Sequence, residues 1–315
     1  MKAILPILIT ALFVADAPAI ILSNSLSDTF GTGGNEFTLD FVNIGNAGNA
    51  ADTTGYGAVP YAYRMGTYEI SQDAITKATA SGMANVTAGA WTGNQPAALI
   101  SWYEAAAFVN WLNTSTGKTA AYDLTWDGSA WSMNLWSSGD AWQLGGENLY
   151  RNKDAYYFLA SENEWYKAAY YNPAGSNYFL YPTASSSVPT AVASGTNAGT
   201  AVYDGVASDP AGVNDAGGLS PYGTMGQGGN VFEWTESAAA GTNSSSSEDR
   251  AARGGYWTTT EFVMRSSFRV DLAGPAFEDE AYGFRVASVP EPSTYALVLM
   301  GAGAWLLRKR LRRSL

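Results

Sequence analysis

The sequence of 315 residues contains no cysteine and no histidine. Without cysteine the chain can form no disulfide bond and no thiolate metal site, and catalysis by a thiol is excluded. Without histidine it lacks the commonest general base and the commonest side-chain ligand of transition metals. Charged residues are also scarce, at 14% of the chain, whereas an average soluble domain has about a quarter. Chemistry or recognition must therefore depend mainly on carboxylates, hydroxyls, amides and aromatic rings.

Aromatic residues are abundant, at 13% of the chain, and they are accompanied by 34 glycines. This composition favours a loop-rich globular body that is held together by aromatic packing. We find no internal repeat and no marked change of composition, so we predict one domain between two short terminal segments.

Residues 1–19 have the features of a secretory signal peptide. Lys2 precedes an apolar run over residues 3–14, and the small residues at 17–19 would allow cleavage after Ala19. We therefore expect export by the Sec route. The alternative interpretation is a buried N-terminal helix.

The C-terminal segment, residues 289–315, resembles the PEP-CTERM sorting signal. It has Pro-Glu-Pro at 290–292, an apolar run over 293–307 and a basic tail over 308–313. The resemblance implies an exosortase as partner and a precursor anchored in the inner membrane of a Gram-negative bacterium, with delivery to the cell envelope or extracellular matrix. The apolar run is short against the ~20 residues of an ordinary membrane span, and a permanent anchor is the alternative.

The charge balance is acidic, with a net charge of −11 for the full chain. Because the C-terminal tail is basic, the body without it is more acidic still. An acidic surface is a poor partner for nucleic acid and for anionic membranes. Cations and neutral glycans are better candidates, and we expect no nucleic-acid partner.

Periodicity and capping residues predict a few regular elements in an otherwise irregular chain. Ser71, Ser101 and Ser161 are predicted helix N-caps, and the last two are followed three residues later by glutamate, as in a capping box. The predicted elements are strands at 36–42 and 61–71, helices at 72–81, 102–113 and 162–171, and a hairpin at 122–127 and 130–135. Residues 172–219 are predicted to be mostly loop.

The hairpin region is rich in tryptophan, with Trp126, Trp131, Trp136 and Trp142. Indole faces suit the apolar surfaces of sugar rings, so Trp126, Trp131 and Trp136 are candidate glycan-binding residues. The alternative is that they form a local core for a hairpin that has few other apolar residues.

Six motifs then carry a family resemblance. In chain order they are RMGTYEIS at 64–71, PAALISWYEA at 96–105, FLASENEW at 158–165, GNVFEW at 229–234, RGGYW at 253–257 and GFRV at 283–286. Together they resemble the sulfatase-modifying-factor family, whose founding members are the formylglycine-generating enzymes. The resemblance covers about residues 37–288, within a domain that we place at 20–288. It implies an α+β, C-type-lectin-like fold with much irregular structure.

The resemblance also implies a copper site formed by two cysteines after the Arg-Gly-Gly motif. These positions fall on Thr259 and Met264, neither of which supplies a thiolate. We therefore expect no formylglycine generation and no copper chemistry, and iron relatives that use histidine are excluded as well. No haem or nucleotide cofactor is expected.

Family members often hold calcium around the Gly-Asn-x-x-Glu segment. Carried over, the carbonyl oxygens of Gly229 and Val231 and the carboxylate of Glu233 would be oxygen ligands, a set that suits a hard cation. A further ligand of the family falls on Gly226, which has no side chain to offer. The alternative is that Glu233 pairs with a core arginine or caps backbone amides.

Three arginines, Arg253, Arg269 and Arg285, stand next to glycine or aromatic residues. We predict structural pairs with buried carboxylates, for which the candidates are Glu162, Glu164 and Glu233. Asn230 is predicted to have a structural role as well. The alternative for the arginines is that they grip a substrate.

The function that these features favour is a non-catalytic module that binds exopolysaccharide or another matrix component. An enzyme of undetermined chemistry on the same scaffold is one alternative, since Glu162 and Glu164 form a carboxylate pair of the kind used in glycoside hydrolysis. A purely structural matrix protein is the other.

Overall fold

The computed structural model describes residues 26–240 and 242–289. The predicted signal peptide and the sorting segment from residue 290 onward lie outside the described residues. Within the described part, no helix combines the length and the apolar character that crossing a bilayer requires.

Each α-helix begins directly after the serine that the sequence predicts as its N-cap. The helices are α1 Gln72–Ala80, α2 Trp102–Ser115 and α3 Glu162–Tyr170, with a 3₁₀ helix at Glu261–Met264. At α2 and α3 the serine hydroxyl accepts a hydrogen bond from the glutamate N–H three residues later, and that glutamate accepts one from the serine N–H. The predicted caps are confirmed, because a capping box depends only on residues close in the chain.

The strands are mostly short, and loops connect them over long stretches. In chain order they are β1 Leu26–Phe30, β2 Phe37–Ile44, β3 Tyr63–Gly66, β4 Asp123–Trp126, β5 Trp131–Asn134, β6 Ala141–Trp142, β7 Asn148–Asn152, β8 Tyr157–Leu159, β9 Tyr171–Asn172, β10 Asn177–Tyr178, β11 Thr190–Ala191, β12 Thr200–Ala201, β13 Phe232–Ala238, β14 Arg250–Arg253, β15 Val270–Ala273, β16 Tyr282–Phe284 and β17 Val286–Ser288. The two predicted strands correspond to β2 and β3, and the predicted hairpin is β4–β5. Strand β1, which pairs with β2, was not predicted.

The first sheet has the strand order β1-β2-β3-β17-β8, and its neighbouring strands are antiparallel. The last described strand, β17, lies inside this sheet, between β3 and β8. The sheet is therefore incomplete until the end of the domain is in place.

The second sheet has the order β15-β14-β13-β16. Strand β13 pairs antiparallel with β14 and parallel with β16, so Glu233 lies opposite both Arg253 and Gly283. Glu233 is therefore on a central strand of this sheet, and it is fully buried.

The two sheets are joined by a single residue, Arg285, which lies between β16 and β17. Its guanidinium donates to the carbonyl oxygens of Gly66 at 2.9 Å and Met225 at 2.7 Å, and to the carboxylate of Glu233. The residue at which the chain changes sheets thus also ties β3 to β13.

Helix α2 packs against β8 at the centre of the core. Its inward positions include Ala105, Ala106 and Phe108, each of which is completely buried. Small side chains let the helix approach the sheet closely, and the large aromatic rings fill the remaining space. Around this helix the core therefore combines alanine with aromatic residues, and the aromatic packing is the part that the composition predicts.

Candidate functional site

Glu233 and Arg285 form a buried ion pair at the centre of the six-motif region. Arg285 donates from Nε and Nη2 to the two carboxylate oxygens at 2.6 and 2.5 Å, and Trp165 Nε1 donates to Glu233 Oε2 at 2.6 Å. Both carboxylate oxygens are thus engaged by fixed donors, one of them a cation. The structure realises the alternative in which Glu233 pairs with a core arginine.

This arrangement does not fit a calcium ion at Glu233. A calcium ligand set needs free oxygen atoms and few neighbouring cations, whereas the guanidinium of Arg285 already neutralises this carboxylate. Among residues 26–240 and 242–289, no three acidic side chains come together in a group that could hold a metal ion. Asn230 has a positive φ of 60°. Its side-chain Nδ2 donates to Glu69, and its side-chain Oδ1 accepts from the N–H of Ala211.

Glu69 is a second carboxylate beside this pair, and it was not among the predicted site residues. Its Oε2 accepts from Asn230 Nδ2 at 2.6 Å, and its Oε1 accepts from the N–H of Val231 at 3.3 Å. Burial and then the charge of Glu233 raise its pKa well above the ordinary value. A Cβ atom at Gly226 would lie 3.0 Å from Glu69 Oε2. Glu69 therefore fills the space beside the glycine where the resemblance places a further ligand.

A second buried network centres on Arg151, which pairs with Glu164 at 2.9 Å and with Glu236 at 2.6 Å. Tyr61 donates its hydroxyl to Glu164, and Tyr122 donates to Glu236, each at 2.8 Å. Burial would raise the pKa of Glu164, but the charge and hydrogen bonds of Arg151 outweigh it and the pKa is lowered. Burial keeps the pKa of Glu236 raised despite the same arginine. Glu164 thus has a structural partner, whereas the role of Glu236 was not predicted.

In the third network two arginines share one carboxylate, whereas in the second network two carboxylates share one arginine. Glu162 accepts from Arg253 Nε at 2.7 Å and from Arg269 Nε and Nη2 at 3.0 and 2.9 Å. Because Glu162 is held by arginines and Glu164 by Arg151, the two carboxylates offer no free pair of the kind that glycoside hydrolysis needs.

The two positions that correspond to the family's cysteines lie side by side. A Cβ atom at Gly255 would be 2.9 Å from Thr259 Oγ1 and 3.3 Å from Met264 Cγ. The Thr259 hydroxyl closes a local turn by donating to the carbonyl of Tyr256 at 2.7 Å. Met264 is fully buried in a small cluster with Tyr181 and neighbouring apolar residues. Neither the hydroxyl of Thr259 nor the thioether of Met264 can supply a thiolate. In this structure the first closes a turn and the second packs in the core.

The tryptophans of the hairpin are brought together only in part. Trp126 and Trp131 face each other across β4 and β5, with ring centres 5.3 Å apart. Trp136 donates its indole N–H to the carbonyl of Ala121 at 3.0 Å. Trp142 packs against Tyr61 in another part of the molecule, at 5.3 Å. The four rings therefore do not form one ladder.

Trp131 borders a cleft of about 220 Å³ between the hairpin and α2. Trp111 and Leu124 form apolar parts of its wall, and Asn110 and Thr114 add polar groups. Trp131 is fixed by a hydrogen bond from Nε1 to the carbonyl of Asn85 at 2.7 Å. The cleft thus presents two half-buried indoles, one of which, Trp111, sequence reasoning missed because it belongs to a helix.

Comparison with known families gives two matches. Residues 35–289 match the family described as the sulfatase-modifying factor enzyme 1-like domain, and residues 288–313 match the PEP-CTERM protein-sorting motif. The second motif implies processing by an exosortase and indicates a protein that is exported in Gram-negative bacteria. No curated protein matched the chain.

Solved structures support the fold. Treponema denticola variable protein 1 is similar, with a TM-score of 0.57 and 21% identity, over 85% of this chain and 100% of that chain. The crystal structure of CarF is similar with a TM-score of 0.55 and 18% identity, over 80% of this chain and 99% of that chain. These likenesses concern the fold alone and agree with the expected α+β, C-type-lectin-like architecture. From the match over residues 35–289, the chain belongs to the sulfatase-modifying factor enzyme 1-like domain family.

Proposed function

We propose that this chain is an exported, non-catalytic member of its family that binds a matrix glycan in the cleft between the tryptophan hairpin and α2. The observation that carries the proposal is the pair of indoles, Trp111 and Trp131, in the wall of one cleft of about 220 Å³. Indole faces bury the apolar faces of sugar rings, and amide and hydroxyl groups at the rim can bond to sugar hydroxyls. The Thr259 and Met264 side chains support the non-catalytic part of the proposal.

The two indoles that border the cleft are held in place by other parts of the protein before any ligand binds. Trp131 is held by Asn85 and Trp126, and Trp111 stacks on Phe37 at 6.1 Å. A side chain that is ordered before binding loses little conformational entropy when the ligand arrives. Two rigid indoles therefore favour saturable binding of a single saccharide segment.

The test is calorimetric binding of the purified full-length chain to exopolysaccharide fragments from its own bacterium. Trp131→Ala should weaken binding about tenfold or more, because truncating a central indole typically costs over 1 kcal/mol. Trp91→Ala is the matched control, since Trp91 is a half-buried indole elsewhere in the fold. Removing calcium with a chelator should leave binding unchanged, since Arg285 already neutralises Glu233.

Two results would contradict this proposal. If the chain showed no saturable binding, the purely structural alternative would be favoured. If the purified protein converted a peptide cysteine to an aldehyde or consumed oxygen, the non-catalytic assignment would be wrong.

A further inference from the structure

Two neighbouring clefts form one groove across the start of α3. The first, of about 160 Å³, has Tyr61 and Trp142 in its wall. The second, of about 430 Å³, has Tyr56 and Arg269 in its wall. Both are also bordered by Ser237 and Asn243, so they adjoin along that boundary. We call this pair of clefts the α3 groove. It is separate from the cleft that Trp111 and Trp131 border between the hairpin and α2, which we call the tryptophan cleft.

The second cleft of the α3 groove contains an excess of positive charge. Among its described lining residues, Glu162 is the only carboxylate, and both of its oxygens accept hydrogen bonds from arginine. Arg253 and Arg269 thus bring two positive charges to one negative charge. A buried or half-buried cation without its own counterion favours an anionic ligand.

Arg269 also has one side of its guanidinium free. It uses Nε and Nη2 on Glu162, and within the described residues its Nη1 makes no hydrogen bond. A guanidinium has five N–H donors, so the edge formed by Nη1 and Nη2 can still bind a second carboxylate through two hydrogen bonds. Its side chain is 21% exposed, and its guanidinium lies 5.6 Å from the ring centre of Tyr56. The guanidinium is therefore held in place and is part of a side chain that is partly exposed.

Arg253, which binds the same carboxylate, differs from Arg269 because all three of its guanidinium nitrogens have partners. Its Nη1 donates to the carbonyl oxygens of Ser266 and Phe268, at 3.0 and 2.7 Å, and the residue is 1% exposed. Ser237 adds a further donor to the cleft, because its oxygen accepts from the N–H of Glu162 at 2.9 Å and its own proton has no acceptor among the described residues. Ser237, at the boundary of the two clefts, and Arg269, in the second cleft, thus each have an unused donor.

We propose that the α3 groove binds an acidic saccharide, with a uronate carboxylate on the Nη1–Nη2 edge of Arg269. The next sugar then occupies the first cleft, whose wall contains the rings of Trp142 and Tyr61. The chain as a whole is acidic, so general electrostatic attraction works against such a polymer, and the affinity must come from this one site. The inference extends the proposed glycan binding, but it concerns a different site and a charged ligand.

The probe is a galacturonic acid hexamer, titrated into the full-length chain by calorimetry. Arg269→Gln should weaken binding about tenfold or more, because it removes a pair of charged hydrogen bonds. Arg269→Lys should lose part of this affinity, since lysine keeps the charge but not the two-pronged edge. Both variants should remain folded because Glu162 keeps its contact with Arg253. Thermal unfolding of each variant checks this.

The matched control is Arg265→Gln, which removes the same charge from an arginine that is 34% exposed and paired with Glu261 at 3.4 Å. It should change the affinity by less than about twofold, as expected for an exposed ion pair. A carboxyl-reduced hexamer, which is neutral, should bind at least about tenfold more weakly than the acid form.

Three outcomes would overturn the inference. They are equal binding of the acid and carboxyl-reduced hexamers, unchanged affinity in Arg269→Gln, and binding of sulfated dextran that is as tight and as dependent on Arg269. The inference and the proposed function can fail separately. Trp131→Ala should leave hexamer binding intact, and Arg269→Gln should leave the tryptophan cleft intact.

Discussion

In three groups of buried charged side chains, the numbers of arginines and carboxylates are unequal. A group with two carboxylates and one arginine holds an excess negative charge in a medium that solvates charge poorly. One such group consists of Glu69, Glu233 and Arg285, and in it the pKa of Glu69 is raised. Within this group, Glu69 is therefore the carboxyl group that is suited to hold a proton in the folded protein.

This arrangement predicts a specific pH dependence of stability. Because the pKa of Glu69 in the folded state lies above its ordinary value of 4.5, its contribution to stability is fully present below that value and is lost as the pH rises through the raised pKa. Glu69→Gln removes this loss. The free energy of unfolding of the variant should therefore increase relative to the wild type as the pH rises from 4.5 to 8, as measured by urea denaturation.

Glu280→Gln is the control for that series, since it makes the same charge change on an exposed side chain. It should follow the wild type at every pH. A constant difference between Glu69→Gln and the wild type across the range would contradict the predicted role of Glu69.

Among the secondary-structure elements, the start of helix α3 joins two of the buried networks. Ser161 caps the helix, Glu162 faces Arg253 and Arg269, and Glu164 faces Arg151. The first turn therefore fixes charged groups on both sides of the helix, and the α3 groove lies across the same turn. The position of this one helix terminus affects the core and the surface together.

Ser161→Ala should lower the free energy of unfolding by about 1 kcal/mol or more, the usual cost of an N-cap that is lost. The Glu164 carboxylate that accepts from the Ser161 N–H is also oriented by this cap. Thr79→Ala, on the exposed side of α1, serves as the control and should change stability little. Chemical denaturation measures both, and equal stability of the two variants would contradict the importance of the cap.

The success of sequence reasoning also differs between elements. Ser101 with Glu104 and Ser161 with Glu164 were predictable because each capping box lies within four residues of chain. Strand β1 was missed because it is short and partly polar and is stabilised by pairing with β2. The position of β17 between β3 and β8 depends on contacts across most of the chain, and no local pattern encodes it.

For the whole molecule, the C-terminal strand completes the fold. Strand β17 lies between β3 and β8, and Arg285 just before it joins the two sheets. A chain that ends at residue 284 should therefore lose cooperative unfolding, whereas a chain that ends at residue 289 should keep it. Near-UV circular dichroism during thermal unfolding distinguishes them, and the same sharp transition in both chains would contradict this view.

The family and the fold were predictable from the order of six motifs, but the assignment of partners was not. Glu233 and Arg285 are 52 positions apart, and Arg151 and Glu236 are 85 positions apart. Several carboxylates were equally plausible partners for each arginine until the fold placed them. The unused edge of Arg269 is a matter of three-dimensional geometry and has no signature in the sequence.

The location of β17 has a consequence for processing at the sorting motif. Ser288, the last residue of that strand, is buried and accepts a hydrogen bond from Arg64 at 2.8 Å, and the sorting motif begins at this residue. Only Val289 separates it from the Pro-Glu-Pro sequence, so the extended chain can carry that sequence no more than ~7 Å from the sheet. An exosortase that acts on this motif would therefore meet the folded body at once, because only Val289 lies between the sheet and the Pro-Glu-Pro sequence.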